Sequence, residues 1–246
     1  MVIKKDLDYF NDELSRQKYF WERMGGRPDF KNKTILDFGC GHGAMCTDIA
    51  KDNPKKIIGI DLDSSHISFA KENLEKNFPQ YKEKIEFKLI DINSWKPTEK
   101  FDYIVSKETF EHTLNLNVVL DSMNKILASN GKVFSGFGPL YNFFNGDHGR
   151  TMSVFPWFHL ILPNSFLIKR INKKQKKEIT SIEELGLNMY SLKQYIEIFK
   201  NSNFQIEMLK KNCSKNPISI IFKIMSKIKF LEEFCTFNIF LVLKKK

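Results

Sequence analysis

Short apolar segments alternate with amphipathic helical segments between residues 34 and 136, and this alternation decides the fold class. The predicted strands lie at 34–38, 56–60, 85–90, 101–106 and 132–136. Apolar residues at helical spacing occupy three of the intervals, at about 43–52, 64–78 and 116–128. Strands separated by helices of this length form right-handed βαβ units and a parallel sheet that is covered on both faces.

The alternation breaks after residue 136 and returns near residue 192. A helix near 192–200, a strand at 204–209, a helix near 218–228 and a strand at 237–243 complete the pattern. We therefore predict an α/β fold: a seven-stranded, mostly parallel, Rossmann-like sheet with helices on both faces, an antiparallel last strand and an insert after the fifth strand.

The same pattern predicts a single domain over residues 1–246. Within it, 1–30 is a helical cap, whose helix at 8–24 is expected over the open edge of the sheet. The irregular stretch 139–190 is expected to be an insert that binds the substrate.

A glycine-rich turn follows the first predicted strand. Asp37 lies near the end of that strand, and Gly39, Gly41 and Gly43 follow at alternate positions before a helix begins. Glycines let the backbone turn tightly and approach a ligand without a Cβ in the way, and the helix N-terminus favours an anionic group. The GxGxG spacing differs from the GxGxxG of nicotinamide-binding loops. The carboxylate before it suits a ligand that carries a cationic amine.

In these features the chain resembles the class I S-adenosylmethionine-dependent methyltransferases over about residues 33–136. The resemblance implies that Asp37 and the 39–43 loop hold the methionine part of S-adenosylmethionine. It also implies that Asp61 accepts the ribose hydroxyls, that Asp91 reaches the adenine amino group and that Ile92 packs on the adenine ring. The residues assigned to the cofactor in this way are Asp37, Gly39, Cys40, Gly41, Asp61, Leu62, Asp91, Ile92, Ser106 and Lys107.

The end of the fourth predicted strand indicates the class of methyl acceptor. Enzymes that methylate exocyclic amines of DNA bases carry an Asn/Asp-Pro-Pro-aromatic sequence there, whereas this chain continues as Ser-Lys-Glu-Thr. The segment SKETFEHTLN resembles the small-molecule branch of the family, which includes ubiquinone-type, sugar and natural-product methylases. We therefore expect a small-molecule acceptor and no DNA.

Acidic and histidine residues after this strand are candidates for catalysis. If a helix starts near Lys107, then Glu108, Glu111 and His112 share one face. A histidine with a pKa near neutrality suits the removal of a proton from a hydroxyl acceptor. The alternative is that His112 only packs and bonds to the backbone.

The predicted insert supplies a second group of polar residues. Its GDHGR turn and its PWFH segment resemble an insert of certain bacterial methyltransferases. His148 is a second candidate base, and Arg150 would pair with an anionic acceptor. The predicted catalytic residues are therefore His112, His148, Glu111 and Arg150. A divalent metal site, for Mn²⁺ or Mg²⁺, is also predicted from the donor types of Glu108, Glu111, His148 and His159. A core position is the alternative for His159, which lies in an apolar segment.

The net charge of +10 comes from 39 basic residues, of which five are Arg, and scattered Lys is typical of a solvated surface. One dense basic run at 169–177 fits a solvated helix face, an anionic substrate, an RNA backbone or a membrane surface. It consists of Lys169, Arg170, Lys173, Lys174, Lys176 and Lys177. The preceding segment, 155–168, contains no acidic residue, Lys or Arg, which fits peripheral membrane contact or a folded lid.

The remaining features suggest a cytoplasmic location. No window of about 18 uncharged apolar residues exists, and the charged first residues do not resemble a signal peptide. The four cysteines have no CxxC spacing and are expected to be reduced. We expect an S-adenosylmethionine-dependent O-methyltransferase that acts on a hydroxyl of a small, anionic or glycan-related metabolite. The alternatives are an RNA methyltransferase, a lipid- or quinone-type methyltransferase at a membrane surface, and a non-catalytic cofactor-binding relative.

Overall fold

A computed structural model describes residues 4–176, 178–214 and 216–246, and one seven-stranded sheet organises them. The strands are β1 Thr34–Phe38, β2 Lys56–Asp61, β3 Ile85–Leu89, β4 Phe101–Lys107, β5 Leu127–Phe137, β6 Phe204–Lys211 and β7 Ile239–Lys245. They lie in the order β3-β2-β1-β4-β5-β7-β6, and β7 is antiparallel to both β5 and β6. The other pairings are parallel. The predicted Rossmann-like sheet with its antiparallel last strand is therefore confirmed.

Helices cover both faces of this sheet. The helices of the described chain are α1 Lys4–Met24, α2 Ala44–Ala50, α3 Ser64–Asn77, α4 Leu116–Ile126, α5 Phe158–Ile161, α6 Asn164–Gln175, α7 Leu192–Asn201, α8 Pro217–Met225 and α9 Glu232–Cys235. On one face, α4 and α7 bury residues such as Leu120 and Phe199. On the other, α1, α2 and α3 bury residues such as Trp21, Ile49 and Leu74. One apolar core thus packs on each face of the sheet, as expected for a parallel sheet covered on both sides.

Helix α1 lies elsewhere than predicted. It packs on α2 and across β5 and β7 rather than over an edge of the sheet. The ring of Phe20 lies 6.0 Å from that of Phe240 in β7. The indole of Trp21 lies 5.3 Å from Phe30 and donates its N–H to Asp48 at 3.2 Å. Several large apolar side chains of this helix are buried together, and a sheet face can cover them where an edge cannot.

The stretch predicted as an insert contains α5 and α6 and a small core of its own. Leu167 and Ile171 of α6 are buried against Ile182 and Leu185. The lysines of the basic run at 169, 173, 174 and 176 are exposed, while Lys177 lies outside the described residues. None of the helices within the described ranges combines the length and the apolar content that crossing a bilayer requires.

Candidate functional site

A cavity of about 960 Å³ opens at the carboxyl ends of the central parallel strands. In open α/β sheets, ligands bind outside these strand ends where the strand order reverses, which here is between β1 and β4. The predicted cofactor residues that line it are Asp37, Gly39, Cys40, Gly41, Asp61, Leu62, Asp91, Ile92 and Lys107. Ser106 is the exception, because its side chain is buried within β4.

The glycine loop follows β1 and is held against β2. The N–H groups of Gly39 and Cys40 both donate to the carbonyl of Ile60, at 2.9 and 3.0 Å. Gly39 and Gly43 have φ of +73° and +83°, and a Cβ on Gly43 would lie 2.5 Å from the ring of Phe87. A Cβ on Gly41 would meet no atom of the described residues within 4 Å. The loop is thus packed at both ends and open to a ligand in the middle.

Asp61 connects this loop to the end of β2. One carboxylate oxygen accepts the N–H of Gly41 at 2.8 Å, and the other accepts the N–H of Asp63 at 2.9 Å. Each oxygen retains a second lone pair. The carboxylate is therefore fixed in orientation and can still accept hydrogen bonds from two neighbouring hydroxyls, as a ribose provides.

Asp37 lies at the floor of the cavity and is almost fully buried. The thiol of Cys46 donates to its carboxylate at 3.2 Å. Burial raises the pKa of Asp37 to about 7, and the nearby Asp61 carboxylate adds to this rise. A bound ammonium group would favour the ionised form and lower the pKa again, so the site suits a cationic amine.

Helix α1 supplies part of the cavity wall, which the sequence did not reveal. Tyr9, Glu13 and Gln17 line the cavity from this helix. Lys107, at the end of β4, forms an ion pair with Glu13. Gln17 is buried, and its side-chain oxygen has no hydrogen-bond partner among the described residues. A polar side chain within the buried stripe of α1 was the one available sequence signal.

The segment after β4 is not the helix that the sequence predicted. Glu108 has φ of +53°, and its N–H donates to the carbonyl of Gly136 at 2.9 Å, which continues the pairing with β5. A short 3-10 turn, Phe110–His112, follows, and α4 begins at Leu116. Glu108, Glu111 and His112 therefore share no α-helical face, yet all three line the cavity.

Glu111 is a buried acid that lines the cavity. It is 3% exposed. One carboxyl oxygen accepts the N–H of Gly138 at 3.1 Å, and the other has no partner among the described residues. Burial raises the pKa of Glu111 to about 8. The group is therefore protonated at neutral pH and offers an O–H donor to the cavity.

The cavity brings His112 and His148 together, with ring centroids 5.2 Å apart. Nδ1 of His112 lies 2.7 Å from the carbonyl of Gly186, and Nε2 of His148 lies 3.0 Å from the carbonyl of Pro139. Carbonyl oxygens only accept, so these nitrogens carry the hydrogens and the other nitrogen of each ring has a lone pair. Burial lowers the pKa of both rings, that of His148 to about 4. Both are neutral at neutral pH.

Two other predicted site residues are bound elsewhere. The guanidinium of Arg150 donates to the carbonyl of Leu185, outside the cavity in which an anionic acceptor was expected to meet it. His159 is buried, and its Nε2 lies 2.6 Å from the carbonyl of Tyr141. Neither residue is among those that line the cavity.

The predicted metal ligands are consequently not assembled. Glu108, Glu111 and His148 line the cavity, but His159 packs in the insert. Within the described ranges, no group of three or more His, Cys, Asp or Glu residues has an arrangement that could hold a metal ion. The structure therefore gives no support to the predicted Mn²⁺ or Mg²⁺ site.

Comparisons with known proteins agree with this geometry. A family model described as a methyltransferase domain matches residues 29–138, which include the glycine loop and the ends of β1, β2 and β4. A ubiquinone biosynthesis O-methyltransferase from Pelagibacter ubique is 32% identical over 117 residues, which cover 48% of this chain and 46% of that protein. The chain thus aligns with less than half of that relative's length.

Two solved structures share the fold over most of the chain. An S-adenosylmethionine-dependent methyltransferase from Mesorhizobium loti has a TM-score of 0.61 at 12% identity, and the match covers 94% of this chain and 97% of that one. A geranyl diphosphate C-methyltransferase from Streptomyces coelicolor has a TM-score of 0.60 at 11% identity, with 94% and 80% covered. The family match therefore shows that residues 29–138 form a methyltransferase domain, and the solved structures show that the chain has the class I fold of S-adenosylmethionine-dependent methyltransferases.

Proposed function

We propose that the protein transfers the methyl group of S-adenosylmethionine to a hydroxyl of a small molecule. The observation that carries the proposal is one cavity whose lining combines two sets of residues. The glycine loop and Asp61 are the set assigned to the cofactor, and Glu111 with two neutral histidines, His112 and His148, is the set assigned to the acceptor. The acceptor set can hold an acceptor against the methyl group and take its proton.

In the proposed reaction, the acceptor oxygen attacks the methyl carbon in line with the carbon–sulfur bond. That bond breaks, its electron pair goes to the sulfonium sulfur, and S-adenosylhomocysteine leaves. The main task of the protein is to hold the oxygen about 3 Å from the methyl carbon. The hydroxyl proton must leave as the new bond forms, which requires a neutral base nearby.

His112 is the better placed of the two histidines for this role. Its Nδ1–H bond to the carbonyl of Gly186 stabilises the charged ring that forms when Nε2 accepts a proton. The pKa of His148 is lowered to about 4, which makes this ring a weak proton acceptor. His148 then serves to position His112 through the contact between the two rings. Oxygen as the accepting atom is supported by the name of the relative from Pelagibacter ubique.

The charges of the acceptor set favour an uncharged acceptor group, such as a glycan or phenol hydroxyl. Glu111 is protonated and both histidines are neutral at neutral pH. Arg150, the cation expected to bind an anionic acceptor, is held by the carbonyl of Leu185. The cation Lys107 is paired with Glu13. Arg150 does not line the cavity, and the charge of Lys107 is compensated by Glu13, so neither group offers an uncompensated positive charge to an acceptor there.

An acceptor with an anionic tail is a second candidate, favoured by a neighbouring cavity. This cavity of about 420 Å³ shares Lys107, Glu108 and Gly138 with the first and is also lined by Arg16 and Arg23. An acceptor whose hydroxyl lies near His112 would have to extend along Glu108 to place a carboxylate or phosphate there.

The reaction class is tested with S-adenosylmethionine labelled with ¹³C in its methyl group and a small-molecule extract. We expect NMR to show that the labelled methyl group of the product is bonded to oxygen. We also expect the labelled product to pass through an anion-exchange column without being retained. Retention of the labelled product would favour the second candidate. Label on nitrogen or carbon, label in RNA, or cofactor binding without any transfer would contradict the proposal.

The base is tested with His112→Gln and His148→Gln, measured on the labelled product's precursor. We expect His112→Gln to lower kcat by about 10² to 10⁴ with the dissociation constant for S-adenosylhomocysteine unchanged. His148→Gln should lower kcat less, because its ring does not take the proton. Equal activity of both variants and the unsubstituted protein would show that no histidine acts as the base.

A further inference from the structure

Helix α8 presents its apolar side to solvent, which is the reverse of an ordinary surface helix. Ile218, Ile221 and Ile224 follow three-residue spacing, and Ile224 is 60% exposed. Another side carries Ser219, which is buried, and Phe222, whose ring is half-buried and stacks on Phe144. A helix in water normally buries its apolar stripe. In α8, by contrast, a serine is buried and three isoleucines are exposed.

The insert adds exposed apolar residues next to this helix. Val154, Phe155 and Ile161 are exposed, and Phe155 is 71% exposed. The two regions are joined through Phe144, which lies 5.4 Å from Phe222 of α8 and 6.2 Å from Trp157 of the insert. We call these six residues the apolar surface: Val154, Phe155, Ile161, Ile218, Ile221 and Ile224.

The chain segments that carry the apolar surface are basic and contain no acid. Residues 148–177 include seven basic residues and residues 208–231 include six lysines, and neither range contains Asp or Glu. Lys211 pairs with Glu232. In the described chain, however, no carboxylate lies within 4.0 Å of the exposed Lys223, Lys227 or Lys229. Among the described residues, lysines without a carboxylate partner thus border exposed isoleucine and phenylalanine.

We propose that the apolar surface docks on a lipid bilayer that contains anionic phospholipids. Apolar side chains that enter the boundary between headgroups and acyl chains are removed from water, which is favourable and which the fold does not provide for these residues. Lysines at the border of such a surface are attracted by anionic headgroups, by about fivefold in affinity for each lysine. This combination matches a bilayer surface, whereas a second copy of this chain would bring its own lysines against the same lysines.

The proposal is tested by co-sedimentation of the whole chain with vesicles. One set consists of phosphatidylcholine alone, and the other of phosphatidylcholine and phosphatidylglycerol in equal parts. We expect the protein to bind the mixed vesicles and to bind them less tightly as salt rises. Ile221→Gln with Ile224→Gln should weaken this binding by at least about tenfold, and Lys223→Gln with Lys227→Gln should weaken it about 25-fold.

The control is Val118→Gln, which replaces an exposed apolar residue of α4 outside the apolar surface. It should bind vesicles like the unsubstituted protein. All variants should retain S-adenosylhomocysteine binding, which shows that they are folded. The proposal would be overturned if the protein did not bind mixed vesicles, or if the isoleucine and lysine variants bound them as tightly as the unsubstituted protein does. Concentration-dependent dimerisation that the isoleucine variant abolishes would also overturn it, if vesicles are not bound.

Discussion

Asp61 offers the sharpest test of the cofactor site, because its carboxylate has two functions at once. It accepts the N–H groups of Gly41 and Asp63, at 2.8 and 2.9 Å, and it lines the cavity with its remaining lone pairs. Asp61→Ala removes both functions. Asp61→Asn keeps the shape but replaces one accepting oxygen with an NH₂ group, which cannot accept from the N–H of Gly41.

The size of the effect follows from the bonds that are lost. A hydrogen bond to a charged group contributes about 1.5 to 3 kcal/mol. Loss of two such bonds to a ribose therefore costs at least about 3 kcal/mol, which is about a hundredfold in the dissociation constant. Asp61→Asn retains one accepting oxygen, so we expect about a tenfold loss by the same argument.

The assay is calorimetric titration with S-adenosylhomocysteine, and the matched control is Asp63→Ala. Asp63 caps the N-terminus of α3 by accepting the N–H of Ser65 at 2.8 Å, and it does not line the cavity. Its replacement should lower stability by about 1 kcal/mol and leave the dissociation constant unchanged. If Asp61→Ala binds as tightly as the unsubstituted protein, or if both variants bind equally weakly, the assignment of Asp61 to the ribose is wrong.

Two further predictions concern the loop and the buried acid. Gly43→Ala places a Cβ 2.5 Å from Phe87 at a φ of +83°, so calorimetry should show a loss of about 1 to 3 kcal/mol of stability. Gly41→Ala, whose Cβ meets open space, should cost less stability but weaken S-adenosylhomocysteine binding. If Gly41→Ala cost more stability than Gly43→Ala, the packing argument would be contradicted. Glu111 has its pKa raised from 4.5 to about 8, so its contribution to stability is full below about 4.5 and is lost as pH rises through about 8. Thermal melting should therefore show the unsubstituted protein losing Tm over this range relative to Glu111→Gln, whereas parallel curves would mean that Glu111 titrates normally.

The sheet was predictable because its signal is local. β1 lies at the predicted residues, and β2 extends the prediction by one residue to Asp61. A strand buried on both faces gives a continuous apolar run that ends where the chain leaves the sheet. Asp37 and Asp61 could be found for the same reason, since strand ends in a parallel sheet converge on one edge.

The rest of the site depends on contacts between distant segments. Tyr9 and Gln17 lie in the cavity because α1 crosses the sheet face. An amphipathic pattern indicates which side of a helix is buried, but it does not indicate which element packs against that side. The turn at Glu108 was missed because a residue other than glycine at φ of +53° has no sequence signature. Arg150 and His159 were predicted as site residues because they are polar residues in the insert. In the structure, both instead donate hydrogen bonds to backbone carbonyls.

The position of β7 determines when during synthesis this site can form. β7, the last of the seven strands to leave the ribosome, lies between β5 and β6 and is the strand with which β6 pairs. Helix α1, made long before it, needs Phe240 of β7 as a partner for Phe20. Until β7 has been made, Phe20 lacks this partner, and exposed apolar surface of this kind is what chaperones bind. A nascent chain that has formed β1 to β5 therefore still lacks the support that β7 gives to α1, the helix that forms one wall of the cavity.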